Sequence, residues 1–189
     1  MSQKRDHLLA VALDLFHREG FHNVGIDRIL SEAGVAKMTL YNHFPSKQAL
    51  ILECLKERDH EARQWFRHCV ESRASDPYER LLVLFDAVAE KCGKDDYPGC
   101  LFLNACAQYT ERDSPIRAAA AEHKRMMTRY IHELCDEAGY QDAGELSQQL
   151  SILLDGVMAR SALVENKRAA VLAKQVARVL LESTPKKTG

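Results

Sequence analysis

Between residues 26 and 44 the chain carries two short stretches of helical apolar spacing, Ile26–Ala33 and Lys37–His43, parted only by Gly34, Val35 and Ala36. Ile29 and Leu30 supply the apolar face of the first stretch, and Val35, Leu40 and Phe44 fall on one face around the second. Gly34 stops the first helix, and the short link forces both faces onto a common neighbour. The pattern predicts a helix-turn-helix, in which the second helix is held out toward a DNA groove.

The expected neighbour lies just upstream. Residues 4–19 place Leu8, Leu9, Ala12, Leu13 and Phe16 on one stripe, with Gly20 as a stop and Phe21 turning inward. Downstream, Ser46 is a good N-cap for a long helix whose Ile51, Leu55, Arg58, Ala62, Trp65 and Cys69 keep a seven-residue rhythm. Asp76 and Pro77 open a segment carrying Leu81, Leu84, Phe85 and Val88, and residues 94–99 read as a loop. Helices are also expected over residues 100–110, from Ser114 and Pro115 to near 139, and over 143–165 and 167–182. Apolar and polar residues nowhere alternate long enough for a strand. The expected fold class is all-α with about nine helices. A three-helix N-terminal domain, residues 1–46, is joined by the long helix to a helical ligand-binding and dimerisation domain, residues 47–184, with a flexible tail at 185–189.

Charge limits the interaction surface. With 26 basic against 27 acidic residues the formal net charge is -1, so any nucleic-acid contact must be local. The polar start through His7, and the interruptions at Asp14 and His17, do not fit a signal peptide. The chain offers no run of about 18 apolar residues, so a soluble cytoplasmic protein with no membrane partner is expected. Its six cysteines lack any CxxC pair, which argues against a disulfide framework.

Residues 37–47 supply that local surface. They contain no Asp or Glu, while Lys37, His43 and Lys47 bring or share positive charge and Thr39, Tyr41 and Asn42 bring hydrogen-bonding groups. Lys37, Met38, Thr39, Tyr41 and Asn42 project away from the apolar face; Lys47, beside a helix N-terminus, can join backbone amides in a phosphate clamp. Arg28 is a further candidate contact. The caps are weak: Gly25 costs a few tenths of a kcal/mol, whereas Ala36 in place of Ser or Thr costs about 1 kcal/mol.

Taken in order, Gly20-Phe21, Ala33-Gly34-Val35, Thr39-Leu40-Tyr41-Asn42-His43-Phe44 and Ser46-Lys47 resemble the DNA-binding signature of the TetR family of transcriptional regulators. The resemblance implies that Lys37 and Met38 reach base edges while Tyr41, His43 and Lys47 hold phosphates. It also implies a repressor that binds a palindromic double-stranded operator as a homodimer and is released by a small-molecule effector. One recognition helix spans too few base pairs, so two half-sites are expected. The last two helices are the expected dimer interface, through Leu153, Gly156, Val157, Ala159, Val176, Val179 and Leu180, with Ala162 also allowing close approach.

Large, adaptable side chains in the middle of the chain are candidates for an effector pocket: Trp65, Phe66, Phe85, Cys100, Phe102, Tyr109, Met127 and Tyr130, with Met126 beside them. The Pro98-Gly99-Cys100 segment resembles one found in a subset of these regulators, some of which sense electrophiles or oxidants through the cysteine. At a helix N-terminus the Cys100 thiol is expected to gain reactive character, although no basic residue adjoins it in sequence. Rival readings are an enzyme and an all-helical protein-interaction module. His132 with Cys135, and His60 with His68, make weak metal-like pairs, but neither completes a ligand set, and no catalytic or cofactor signature accompanies them. No enzyme activity, metal or cofactor is expected.

Overall fold

A computed structural model describes residues 3–94, 96–164 and 168–187. The expected helix end at Glu165 and start at Lys167, with Asp95, Thr188 and Gly189, lie outside the described residues. The described residues form nine helices and no named strand, in agreement with the all-α expectation: α1 (Gln3–Glu19), α2 (Ile26–Ala33), α3 (Lys37–His43), α4 (Lys47–Glu71), α5 (Pro77–Cys92), α6 (Leu101–Gln108), α7 (Pro115–Glu137), α8 (Ala143–Val164) and α9 (Ala169–Ser183).

The chain divides into two compact units. The first comprises residues 1–61 and 101–123; the second comprises residues 62–100 and 124–189. The linear reading placed residues 101–123 with the C-terminal half, whereas α6 and the start of α7 pack with the helix-turn-helix.

In the first unit α1 packs on both α2 and α3. Its Leu8, Ala12, Leu15 and Phe16 meet Phe21, Ile29 and Leu40 in a fully buried core. Gly34 supplies the turn: its φ of 62° lies in the left-handed region, and its N–H bonds to the Leu30 carbonyl. A side chain with Cβ is strained at that φ, so the link between α2 and α3 depends on glycine.

The second unit has a separate core in which α5 packs on α8 and α9. Asp76 caps α5 by accepting from the Glu79 N–H at 3.1 Å, and Pro77 occupies the first turn, where no amide hydrogen is needed. Leu81, Leu84, Phe85 and Val88 are buried against Leu146, Leu150, Leu154 and Ala177. Trp65 departs from the expected stripe: it is 39 % exposed, while Phe66 is the buried aromatic. Beyond Ala62 the inward face of α4 runs through Phe66, Cys69 and Val70, so the seven-residue count drifts off the true helical period. Residues 185–187, at the start of the expected tail, make backbone contacts with the end of α7. Lys186 forms an isolated antiparallel bridge with Tyr140, and the Lys187 N–H bonds to the Gly139 carbonyl at 2.7 Å.

The cysteines divide by accessibility. Cys54, Cys69 and Cys135 are buried, whereas Cys92, Cys100 and Cys106 are partly accessible, and all six are free. Burial pushes the first three thiols up, Cys135 to about 12. Alkylation of the native protein at pH 8 should therefore label Cys92, Cys100 and Cys106 and spare the other three until denaturant is added. Native labelling of Cys54 or Cys135, read by mass spectrometry, would contradict this packing.

Candidate nucleic-acid interface

Helix α3 is oriented by two buried anchors. Leu40 is fully buried and Phe44, at the C-cap, is nearly so. The Arg5 guanidinium lies 5.3 Å from the Phe44 ring centroid and donates to Glu53 at 2.7 Å, tying α1, α4 and the end of α3 together. Arg5 was not singled out from the sequence, because a charge at that position reads as solvated surface. His7 Nε2 adds a contact of 3.2 Å to the Ala33 carbonyl at the end of α2.

With Leu40 and Phe44 inward, the opposite face turns outward. Met38 is 71 % exposed and Tyr41 40 % exposed, and Lys37 and Asn42 are exposed beside them. Thr39 and His43 are half-buried, the latter with its ring edge-on to Phe44. Lys47 begins α4 and lies partly over the Phe16 ring at 6.0 Å; burial pulls its ammonium below the ordinary lysine value. Ser46 caps α4, its Oγ accepting from the Ala49 N–H at 3.1 Å. Arg28, half-exposed on α2, pairs with Glu32 at 3.2 Å and Glu19 at 3.6 Å. Such exposed pairs are worth about 0–1 kcal/mol, so a phosphate can compete for Arg28. Gly25 and Ala36 occupy the N-cap positions of α2 and α3 without a side-chain cap, as expected.

Helix α6 is fastened to the same unit at both ends. At its C-terminal end the His22 N–H donates to Gln108 Oε1 at 3.1 Å, and His22 Nε2 lies 2.8 Å from the Gln108 carbonyl. Tyr109 packs on His22 and edge-on to Phe21. Near its start, Phe102 stacks on His123 with centroids 3.6 Å apart, and His123 Nδ1 lies 2.8 Å from Asp59 Oδ1 of α4. Phe102 and Tyr109, expected in an effector pocket, thus stand in the unit that carries α3.

The other expected pocket residues lie in the second unit. Phe66, Phe85 and Tyr130 share its buried core, with Met127 packed against it. Tyr130 Oη and Tyr97 Oη are buried without a hydrogen-bond partner. Trp65 lies beneath Lys91 at 5.7 Å, half out of the core. Cys100 immediately precedes α6, and the fold supplies what its sequence neighbours lack: the Lys124 ammonium reaches its thiol from α7.

Of the expected dimer residues, Val176 and Val179 are exposed, Gly156 is open, and Leu153, Ala159 and Leu180 are half-buried. Val157 points instead into its own core. Leu172, on the apolar stripe of the last helix, is exposed as well, and so is Ile152, which was not singled out. Among the described residues no three His, Cys, Asp or Glu side chains gather as metal ligands, and no helix is long and apolar enough to cross a membrane.

Residues 8–54 match the sequence family described as bacterial regulatory proteins, tetR family. The chain is 26 % identical over 168 residues to the HTH-type transcriptional regulator YjdC of Escherichia coli, covering 89 % of this chain and 87 % of that protein. It is likewise 26 % identical over 154 residues to the HTH-type transcriptional repressor NemR of Escherichia coli, covering 79 % and 77 %. A solved TetR-family transcriptional regulator from Streptomyces coelicolor superposes with a TM-score of 0.88 at 29 % identity, covering 95 % of this chain and 94 % of the other.

The uncapped start of α3 gives a direct check. Ala36→Ser supplies an oxygen to the first-turn amides and should raise stability by about 0.5–1 kcal/mol in urea unfolding without moving Leu40 or Phe44. A destabilisation of that size would show that Ala36 is not acting as the cap.

Proposed function

Because this chain belongs to the TetR family, whose members are DNA-binding transcription regulators and not enzymes, we propose that it is a repressor that grips a palindromic operator as a homodimer. The carrying observation is the acid-free, outward face of α3 continued by Lys47. Lys37 and Met38 are assigned to base edges, with Thr39 and Asn42 as adjoining hydrogen-bonding groups. Tyr41, His43 and Lys47 are assigned to phosphates, and Arg28 joins them when it exchanges its carboxylate partners.

The second copy docks on α8 and α9. Ile152, Leu172, Val176 and Val179 form an apolar surface on these two helices, while Gly156 lets backbones approach. Double substitution Val176→Asp with Val179→Asp should yield a folded monomer in sedimentation experiments; a dimer that persists would move the interface elsewhere.

The effector belongs to the second unit, where Tyr130 offers a buried, unpartnered hydroxyl among Phe66, Phe85 and Met127. Its binding favours a state in which α4 is tilted and the two recognition helices no longer match the operator, a bias of a few kcal/mol. A second reading, a repressor that responds to thiol-reactive molecules through Cys100, is favoured by Lys124 standing beside that thiol.

Selection from random duplexes tests the proposal. Enriched sequences should carry two inverted half-sites centred about 34–36 Å apart or a multiple of that spacing. On the selected duplex, Lys47→Ala should weaken binding uniformly across sequences and reduce the salt slope by about one. No enrichment of any sequence would overturn the repressor reading and favour a protein-interaction module.

A further inference from the structure

Among the described residues of the first unit, the large hydrophobic side chains left exposed are Met38 and Tyr41, and both lie on α3. Three positions apart on a helix, they share one side of it. Tyr41 keeps a hydroxyl for a polar partner. Met38 has no donor, and its thioether sulfur is a weak acceptor, so its 71 % exposure presents an apolar surface. Leu40, fully buried two positions on, fixes the rotation of α3 that leaves Met38 outside.

Every base pair presents hydrogen-bonding groups in the major groove, and the apolar group among them is the thymine C5 methyl. We propose, building on the reading of α3 as the helix that enters that groove, that Met38 is a specificity-determining residue that reads the C5 methyl of a thymine, one in each half-site. Set against any other base edge, Met38 would strip water from a donor or acceptor and return no hydrogen bond, so the same side chain that favours thymine disfavours the alternatives. Its flanking methyl groups reach less far: Ala36 is exposed but ends at Cβ, and Thr39 is half-buried. Lys37 and Asn42, exposed beside Met38, carry the polar groups that suit the hydrogen-bonding edges of neighbouring bases.

Two consequences separate this contact from the others on the same face. Met38 senses a methyl group and not a base pair, so 5-methylcytosine, which carries its methyl at the same ring position, is read in preference to cytosine. An apolar contact also releases no counterions, so its contribution holds as salt rises while the phosphate contacts weaken.

The test uses the full-length protein and the duplex it selects. Each symmetric pair of thymines is replaced in turn by deoxyuridine, which removes the methyl and leaves the base pair. At one pair, affinity should fall about fourfold for a change in one half-site and about fifteenfold for both, equally at roughly 50 and 200 mM salt. With cytosine placed at that position, 5-methylation should raise affinity about fourfold for each half-site. In Met38→Ala, whose thermal unfolding should match the parent's because the residue is exposed, both methyl effects should disappear; in Met38→Leu they should persist. Indifference to every thymine methyl, or a methyl effect that survives in Met38→Ala, would overturn the assignment while leaving specific binding intact. Failure to select any duplex would instead overturn the regulator reading and the assignment with it.

Discussion

Burial of Leu40 and Phe44 against the first unit's core is the constraint on which the outward face of α3 depends. A seven-residue helix with no side-chain cap at Ala36 is too short to hold itself in water. Burying a large apolar side chain contributes roughly 1.5–3 kcal/mol, so two such anchors outweigh the roughly 1 kcal/mol that the missing cap costs. The same two contacts fix the rotation of α3 about its axis, and rotation decides which residues face out. Lys37, Met38, Tyr41 and Asn42 are exposed because Leu40 and Phe44 are not.

A rigid α3 serves regulation only when something can move what holds it. Helix α4 begins at Lys47, carries Asp59 against His123, and continues into the second unit as Phe66 and Val70. Helix α6 reaches the α1–α2 turn through Gln108 and His22. Residues that hold the DNA-binding unit together therefore lie on elements continuous in chain with the second unit. An event in that unit has covalent routes toward α3.

The sequence made the helix-turn-helix legible because three local signals coincide there. Gly34 ends a helix, apolar residues sit at helical spacing on both sides, and acid is absent from residues 37–47. Ser46, Asp76 and Pro77 were equally readable, since caps act within one helical turn. Long-range packing was not. Trp65 and Phe66 are adjacent aromatics, and only the drift of α4 against its neighbours decides which is buried. Phe102 and Tyr109 read as pocket material because nothing local indicates that Phe102 stacks on His123 or that Tyr109 meets Phe21 in the turn after α1. Lys124 is 24 positions from Cys100, so their encounter could be found only in the folded chain.

The central claim is that the outward face of α3, continued by the start of α4, is the surface that meets DNA. Hydrogen–deuterium exchange of the free protein and of its complex with a selected duplex measures this directly. The account predicts that new protection on DNA binding concentrates in residues 36–50, while α5 and the inner face of α8 are unchanged. Unaltered exchange in residues 36–50 at saturating duplex would contradict it.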